Sequence, residues 1–194
     1  MKLAWICGVA VLASVFVSQV RADIDFGFGY SKLELKGVDE NLSNAGGIGG
    51  DLHLSLGVLG PLRLNLAGGF KYYDETGDGQ SAAHPKESDL LLVTGEIGLS
   101  YRHYLLGPIY LEPGIGVVGI IGNYNSSNNS DALLNFDETK TGWGVRPSIR
   151  VGATLALINF GAEFSYMWGD ITFERGVGGD LKEFYAGGFV GLSW

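Results

Sequence analysis

The stretch GDLHLSLGVLGPLRLNLAGGF, residues 50–70, alternates apolar and polar side chains on both sides of a short turn. Leucines occupy every second position in each half, and Asp51, His53 and Arg63 lie between them. Because successive side chains of a β-strand point to opposite faces, this pattern predicts an antiparallel hairpin with one apolar face and one polar face. The rest of the sequence decides which face meets which environment.

The first 22 residues have the pattern of a secretory signal peptide. Lys2 precedes an apolar run from Leu3 to Val17, and small residues precede a cleavage point after Ala22. The run is shorter than the ~20 apolar residues that a membrane-spanning helix needs. We therefore expect residues 1–22 to be cleaved and residues 23–194 to form a single domain. Cleavage removes the single cysteine, Cys7, and with it any disulfide chemistry.

Composition favours an all-β protein. The chain has 32 glycines and 46% hydrophobic residues, yet apart from the leader its apolar stretches are all soon interrupted by glycine or charge. Its net charge of −8 excludes nucleic acid as a natural partner.

Eight strand-like segments can be distinguished, and their connections alternate in length. Short turns at 57–61, 103–108 and 157–159 alternate with long acidic segments near 36–45, 74–88, 122–142 and 170–181. Pro113 and Pro147 fall inside strands, where each deletes a ladder hydrogen bond unless it lies at a bulge. The predicted strands are 23–35, 46–57, 61–73, 89–102, 109–121, 143–156, 158–169 and 182–194.

An even number of strands, short turns at one end and long loops at the other are typical of a bacterial outer-membrane barrel. The predicted fold is thus an eight-stranded antiparallel transmembrane β-barrel with short periplasmic turns and long extracellular loops. Aromatic residues near strand ends match the interfacial girdles of such barrels; they are Tyr30, Tyr72, Tyr101, Trp143, Trp168 and Trp194.

The C-terminal sequence YAGGFVGLSW ends on an aromatic residue preceded by alternating hydrophobic residues, Val190, Leu192 and Trp194. It resembles the terminal-strand signal that the barrel-assembly machinery recognises. The whole predicted domain resembles the small eight-stranded outer-membrane proteins of the protein-X type and the protein-A transmembrane-domain type. This resemblance implies an outer-membrane location and contact with outer-membrane lipid and lipopolysaccharide. The resemblance says little about function, because that group includes adhesins, structural proteins and enzymes.

With lipid against the apolar face, the polar face points into the barrel. An eight-stranded barrel has room only for its own side chains, and buried charges persist when they are paired. Six acids and five bases share the inward positions, which predicts a filled, ion-paired lumen rather than an open pore. With His53, the predicted network comprises Asp25, Asp51, His53, Arg63, Lys71, Glu96, Arg102, Glu112, Arg146, Arg150, Glu163 and Glu183.

Two alternative functions stay open at this point. Asp51, His53 and Ser55 lie on one strand face, and His-x-Ser resembles lipid A deacylases, but the flanking sequence of that family is missing and the residues face the lumen. A narrow channel along the lumen charges is the other alternative. No clustered ligands predict a metal site, and no cofactor is expected.

The favoured interpretation is a non-enzymatic outer-membrane barrel with an envelope-structural or surface-interaction role. The long segments and strand ends carry fourteen acids against six bases. They therefore predict an acidic surface for an extracellular partner that the sequence does not identify.

Overall fold

A computed structural model describes residues 21–35, 45–76, 86–128, 136–172 and 178–194. The predicted signal peptide lies outside this part of the chain except for Arg21 and Ala22, so its cleavage stays a prediction. No helix among the described residues is long and apolar enough to cross a membrane. The strands are β1 Ala22–Leu35, β2 Gly46–Leu59, β3 Leu62–Thr76, β4 Lys86–Tyr101, β5 Ile109–Asn128, β6 Phe136–Leu155, β7 Ile158–Thr172 and β8 Gly178–Ser193.

Strand β4 continues beyond Arg102 as the short segment His103–Leu106. Both parts pair with β5 in one register, since Ser100 faces Gly114 and His103 faces Leu111. We therefore treat them as one strand interrupted at Arg102.

The eight strands form a closed antiparallel barrel, as the sequence predicted. Each strand pairs with its neighbour in the chain, and β1 pairs with β8 from Asp23↔Ser193 to Leu35↔Leu181. At the seam, the Ala22 amide donates to the Trp194 carbonyl at 2.8 Å, and the Trp194 amide donates to the Ala22 carbonyl at 2.9 Å. Closure leaves no exposed sheet edge within the wall.

Tight turns connect the strands at one end, which we call the periplasmic end. Gly60, Gly107 and Ala156 adopt positive φ angles of 56°, 54° and 55° in these turns. Glycine occupies this region without steric cost, whereas Ala156 is the one non-glycine residue among those described that adopts it.

The strands are longer at the opposite, extracellular end than the sequence predicted. Residues 122–128 and 136–142 were expected in a loop, but they extend β5 and β6 and pair with each other as far as Ser126↔Phe136. Residues 74–76 and 86–88 likewise belong to β3 and β4. These strand ends were not predicted because their sequence is polar. A strand is recognised by alternating apolar and polar residues, and neither face is apolar enough here to give that alternation.

Neither strand proline produces a bulge. Pro113 lies in an unbroken register with β6, and on the β4 side it lies next to the interruption at Arg102. At Pro147 the ladder between β6 and β7 skips two residues and resumes at Ser148↔Ser165 in the same register. Each proline removes a backbone hydrogen bond, but the register is the same on both sides of it. The same side chains therefore face inward before and after each proline.

The two faces of the wall differ as the leucine pattern predicted. Phe26 and Phe28 on the outer face are 63% and 65% exposed, whereas the neighbouring Asp25 points inward and is fully buried. The six predicted girdle aromatics are all exposed on the outer surface. A surface this apolar is unfavourable in water and favourable against acyl chains, which agrees with an outer-membrane barrel.

Candidate functional site

The interior of the barrel holds the charged residues that the sequence singled out. At the periplasmic end, Asp23 on β1 accepts hydrogen bonds from two arginines. Its Oδ2 lies 2.7 Å from Arg63 Nη2 and 2.6 Å from Arg102 Nη1. Arg102 Nε also donates to Glu112 Oε2, and the Ser100 hydroxyl donates to Glu112 Oε1 at 2.6 Å. This chain of contacts links strands β1, β3, β4 and β5.

A second group of contacts centres on Asp25. Arg150 Nη2 donates to Asp25 Oδ2 at 2.7 Å, and Asn159 Nδ2 donates to Asp25 Oδ1 at 2.9 Å. The Tyr110 hydroxyl donates to Asn159 Oδ1 at 2.9 Å. Arg150 Nε lies 3.3 Å from Glu163 Oε2. We call these two groups together the ionic cluster: Asp23, Asp25, Arg63, Arg102, Glu112, Arg150 and Glu163.

Aromatic rings cover two of the three arginines of the ionic cluster. The Arg102 guanidinium lies 4.0 Å from the centroid of the Tyr110 ring, and that of Arg150 lies 3.9 Å from the centroid of the Phe189 ring. Such contacts favour a desolvated cation, because the ring face carries negative charge density. The rings also fill space that water would otherwise occupy.

Two further pairs lie nearer the middle of the barrel. Arg146 Nη1 lies 2.9 Å from Glu96 Oε2, and Lys71 contacts Glu183 across the lumen. Asp51 forms no ion pair with the described residues, but it lines a cavity together with Lys71 and Arg146. The cavity measures about 30 Å³, room for little more than one water molecule.

All twelve residues of the predicted network thus lie on the inner face, and the structure adds one. Asp23 is fully buried between two arginines, although the sequence analysis did not assign it to the network. Its inward orientation could have been predicted from the sequence, because Asp23 precedes Asp25 by two residues and therefore lies on the same face of the strand. With Asp23, seven carboxylates face five basic side chains.

His53 and Ser55 occupy the inner face, and each of them contacts an arginine. Arg150 Nη1 lies 3.0 Å from His53 Nδ1. Since an arginine can only donate, Nδ1 is the acceptor here. The Ser55 hydroxyl accepts from Arg63 Nε at 2.6 Å. Within the described part of the chain, no hydrogen bond joins His53 to Ser55, which nucleophilic catalysis by this pair would require.

The extracellular part of the lumen is apolar, which the sequence analysis did not predict. A cluster of side chains buried inside the wall fills it, and we call it the apolar cluster. Leu33, Leu92 and Ile120 are at most 2% exposed. The full cluster is Leu33, Leu35, Ala45, Tyr73, Leu90, Leu92, Val118, Ile120, Tyr124, Met167, Ile171 and Leu181.

A signal for the apolar cluster was present in the sequence. LLLV at 90–93 and VVGII at 117–121 are apolar at consecutive positions, so both faces of these strands avoid water. The expectation of an ion-paired lumen therefore holds for the periplasmic and middle parts of the interior. The extracellular part is filled mainly by the apolar cluster, which that expectation did not include.

The residues of the predicted assembly signal lie on the outer face. Val190, Leu192 and Trp194 are 56%, 56% and 57% exposed, in the strand that closes the barrel. In the described segments, no three His, Cys, Asp or Glu side chains converge in a way that would hold a metal ion.

Solved structures with the same fold are outer-membrane proteins. Neisserial surface protein A superposes with a TM-score of 0.55 at 12% identity, covering 88% of this chain and 96% of that one. A major outer membrane protein from Thermus thermophilus gives 0.52 at 14% identity, covering 89% of this chain and 98% of that one. No family model and no curated protein sequence matches the chain. The chain has the fold of the small eight-stranded outer-membrane β-barrels.

Proposed function

We propose that this protein is a sealed, non-enzymatic outer-membrane scaffold that presents an acidic extracellular surface to a basic partner. The observation that carries the proposal is the filling of the lumen in two successive layers. The ionic cluster occupies the periplasmic end, and the apolar cluster occupies the extracellular end. A barrel filled in this way is a rigid support for the strands that extend beyond the apolar band.

The apolar cluster weighs against the channel alternative. An ion that entered from outside would have to pass a layer of fully buried aliphatic and aromatic side chains such as Leu90 and Tyr73. Apolar constrictions exclude water and therefore ions. Beyond that layer most of the charges are already paired with each other, so they offer a passing ion little stabilisation.

The contacts of His53 and Ser55 weigh against the lipid A deacylase alternative. Both side chains face the lumen and are engaged by arginines. The acyl chains that a deacylase would cleave lie on the other side of the wall. A lone pair of His53 that accepts from Arg150 is not available to remove a proton from Ser55.

The acidic surface is the feature that supports the proposal of a basic binding partner. The long segments and strand ends carry fourteen acids against six bases, so the excess negative charge of the chain is displayed there. Complementary charge speeds association and selects partners of the opposite sign.

Binding of a polycation to the purified protein in uncharged nanodiscs tests the proposal. We expect polylysine to bind the wild type, and we expect binding to weaken steeply as salt rises through the range in which surface charges are screened. A variant with Asp170→Asn, Asp180→Asn and Glu174→Gln should bind less. Equal binding by both proteins at low salt would contradict the acidic-surface role.

Lipid A analysis tests the non-enzymatic part separately. Mass spectra of lipid A from cells with and without the protein should be identical. Loss of an acyl chain that depends on His53, as shown by a His53→Ala variant, would instead support the deacylase.

A further inference from the structure

The interior of the barrel carries more negative than positive charge. Seven inward carboxylates face five basic side chains among the described residues. His53 adds no charge, because its Nδ1 accepts from Arg150 and the ring is therefore neutral. The described interior thus has a formal surplus of two negative charges. A charge away from water is costly unless an opposite charge compensates it, so this surplus calls for a cation that no side chain supplies.

Two carboxylates carry the surplus. Arg150 serves both Asp25, at 2.7 Å, and Glu163, at 3.3 Å, so Glu163 is the more weakly held of the two. Asp51 forms no ion pair with any described residue. The other carboxylates of the interior each lie 2.9 Å or less from a basic side chain.

The strands next to Asp51 offer it no counter-charge. Its direct cross-strand neighbours are Gly27 on β1 and Gly69 on β3. A Cβ atom on Gly27 would collide with the Asp51 carboxylate, which therefore lies directly over this glycine. The neutral hydroxyl of Tyr185 on β8 hydrogen-bonds with the same carboxylate. Asp51 is thus held beside two glycines and a phenol group rather than beside a base.

Asp51 and Glu163 face the same small cavity, which measures about 30 Å³. Asn65 Oδ1 on its lining has no hydrogen-bond partner among the described residues, although Asn65 is only 7% exposed. A buried acceptor of this kind indicates a donor that the side chains do not supply. The bases that line the cavity are Lys71, Arg146 and Arg150, the other acids are Glu96 and Glu112, and the neutral titratable groups are His53 and Tyr185. Each base contacts a carboxylate other than Asp51, with Glu183 and Asp25 as the partners of Lys71 and Arg150.

A proton suits this cavity better than a metal ion. A metal ion needs several ligands arranged around it, and the described acids do not converge in that way. A proton needs no coordination sphere, because it binds covalently to one carboxylate oxygen and makes that group a hydrogen-bond donor. Two carboxylates that face one site repel each other, which favours binding of a proton by one of them.

We propose that the cavity is a proton-binding site with Asp51 as the acceptor, and that the barrel is therefore more stable in mild acid than in alkali. The proton adds to a carboxylate oxygen of Asp51, and Glu163 stays ionised in contact with Arg150. The site is independent of the acidic extracellular surface, since Asp51 lies inside the wall.

The sign of the pH dependence follows from proton uptake. Folding takes up a proton in the range where an unfolded aspartate is already ionised, so stability falls as pH rises through this range. His53 has the opposite effect, because it is neutral in the fold and binds a proton in the unfolded chain below about pH 6.5.

Urea unfolding of the barrel in detergent micelles, at several values between about pH 5.5 and about pH 8, tests the proposal. At the alkaline end, Asp51→Asn should be more stable than the wild type, because it folds without taking up a proton. As the pH falls, this advantage should shrink by up to about tenfold per pH unit in the unfolding equilibrium constant. Both proteins contain His53, so its contribution cancels in the comparison.

Asp23→Asn is the matched control. It makes the same substitution at another inward aspartate, but Asp23 contacts Arg63 and Arg102. Removal of its charge leaves Arg63 without a counter-charge, so this variant should be less stable than the wild type at alkaline pH. The heat-dependent gel shift of each variant verifies that the barrel has formed.

Infrared spectroscopy detects the proton directly. In a detergent without ester or carboxyl groups, the wild type at about pH 7 should show the carbonyl stretch of a protonated carboxylic acid, and Asp51→Asn should lack it. A band that persists in Asp51→Asn would overturn the proposal, as would a loss of stability in this variant like that of Asp23→Asn. Equal pH dependence of the wild type and Asp51→Asn would also overturn it. A gain in wild-type stability in sodium chloride over choline chloride, absent from Asp51→Asn, would identify a metal ion as the ligand and overturn the assignment of a proton.

Discussion

Arg150 on β6 reaches across the lumen to Asp25 on β1, with 2.7 Å between Nη2 and Oδ2. Asp25 is completely buried, and Arg150 is almost so. The pair connects the first strand, which forms the closing seam with β8, to a strand on the other side of the barrel. It therefore holds the seam strand in place through the interior, in addition to the backbone ladder.

Loss of Arg150 should destabilise the barrel strongly. Arg150→Met removes the partner of both Asp25 and Glu163 and leaves their carboxylates buried without a counter-charge. Breaking a buried pair in this way costs ~3–5 kcal/mol. Urea unfolding of the barrel in detergent micelles measures the change.

The exposed pair between Lys182 and Glu34 supplies the control for that measurement. Glu34→Gln should change the free energy of unfolding by less than ~1 kcal/mol, because water and ions already screen this pair. Similar losses in the two variants would show that the interior pair carries no special role in stability.

Truncation within the apolar cluster should also destabilise the barrel. Leu92→Ala opens a cavity among fully buried side chains, and such changes cost ~2–5 kcal/mol. Leu99→Ala on the same strand is the matched control, since Leu99 points outward and is 50% exposed. We expect it to lose clearly less stability in the same unfolding assay. An equal loss would mean that the extracellular part of the lumen is loosely packed.

The sequence predicted the fold well because lipid imposes a simple rule. Every outward residue must be apolar across the band, so the parity of a single hairpin, Gly50 to Phe70, assigned both faces correctly. The same rule placed Arg63 and Arg150 inside the barrel. The rule carries no information where both faces are apolar, as at Leu90 to Val93, and for this reason the apolar cluster was missed.

The strand ends and the individual pairings could not be predicted in the same way. Beyond the membrane the outward face is polar, so the alternation that marks a strand vanishes at residues 122–128 and 136–142. The partner of each charge depends on the stagger of strands far apart in sequence. Asp23 meets Arg63 and Arg102 only because the closed barrel brings β1, β3 and β4 around one interior.

Substitution of the C-terminal aromatic residue should impair assembly more than stability. The Trp194 side chain is 57% exposed, and the end of its strand is held in the barrel by the backbone ladder that pairs Ser193 with Asp23. Trp194→Ala should therefore refold in detergent with nearly unchanged stability. In cells, less of it should reach the heat-modifiable, assembled form in the outer membrane.

Leu106→Ala is the comparison for the assembly experiment. Leu106 is 78% exposed near a periplasmic turn and lies outside the predicted terminal signal. It should assemble like the wild type. If Trp194→Ala assembles equally well, the terminal residues do not act as an assembly signal.

Single-channel recording in planar bilayers tests the central claim, that the lumen is sealed by the ionic cluster and the apolar cluster. The wild-type protein, verified as folded by its heat-dependent gel shift, should insert without producing conductance steps, because the cavity that Asp51, Lys71 and Arg146 line measures about 30 Å³. Stable, repeated steps of porin size would contradict the sealed scaffold.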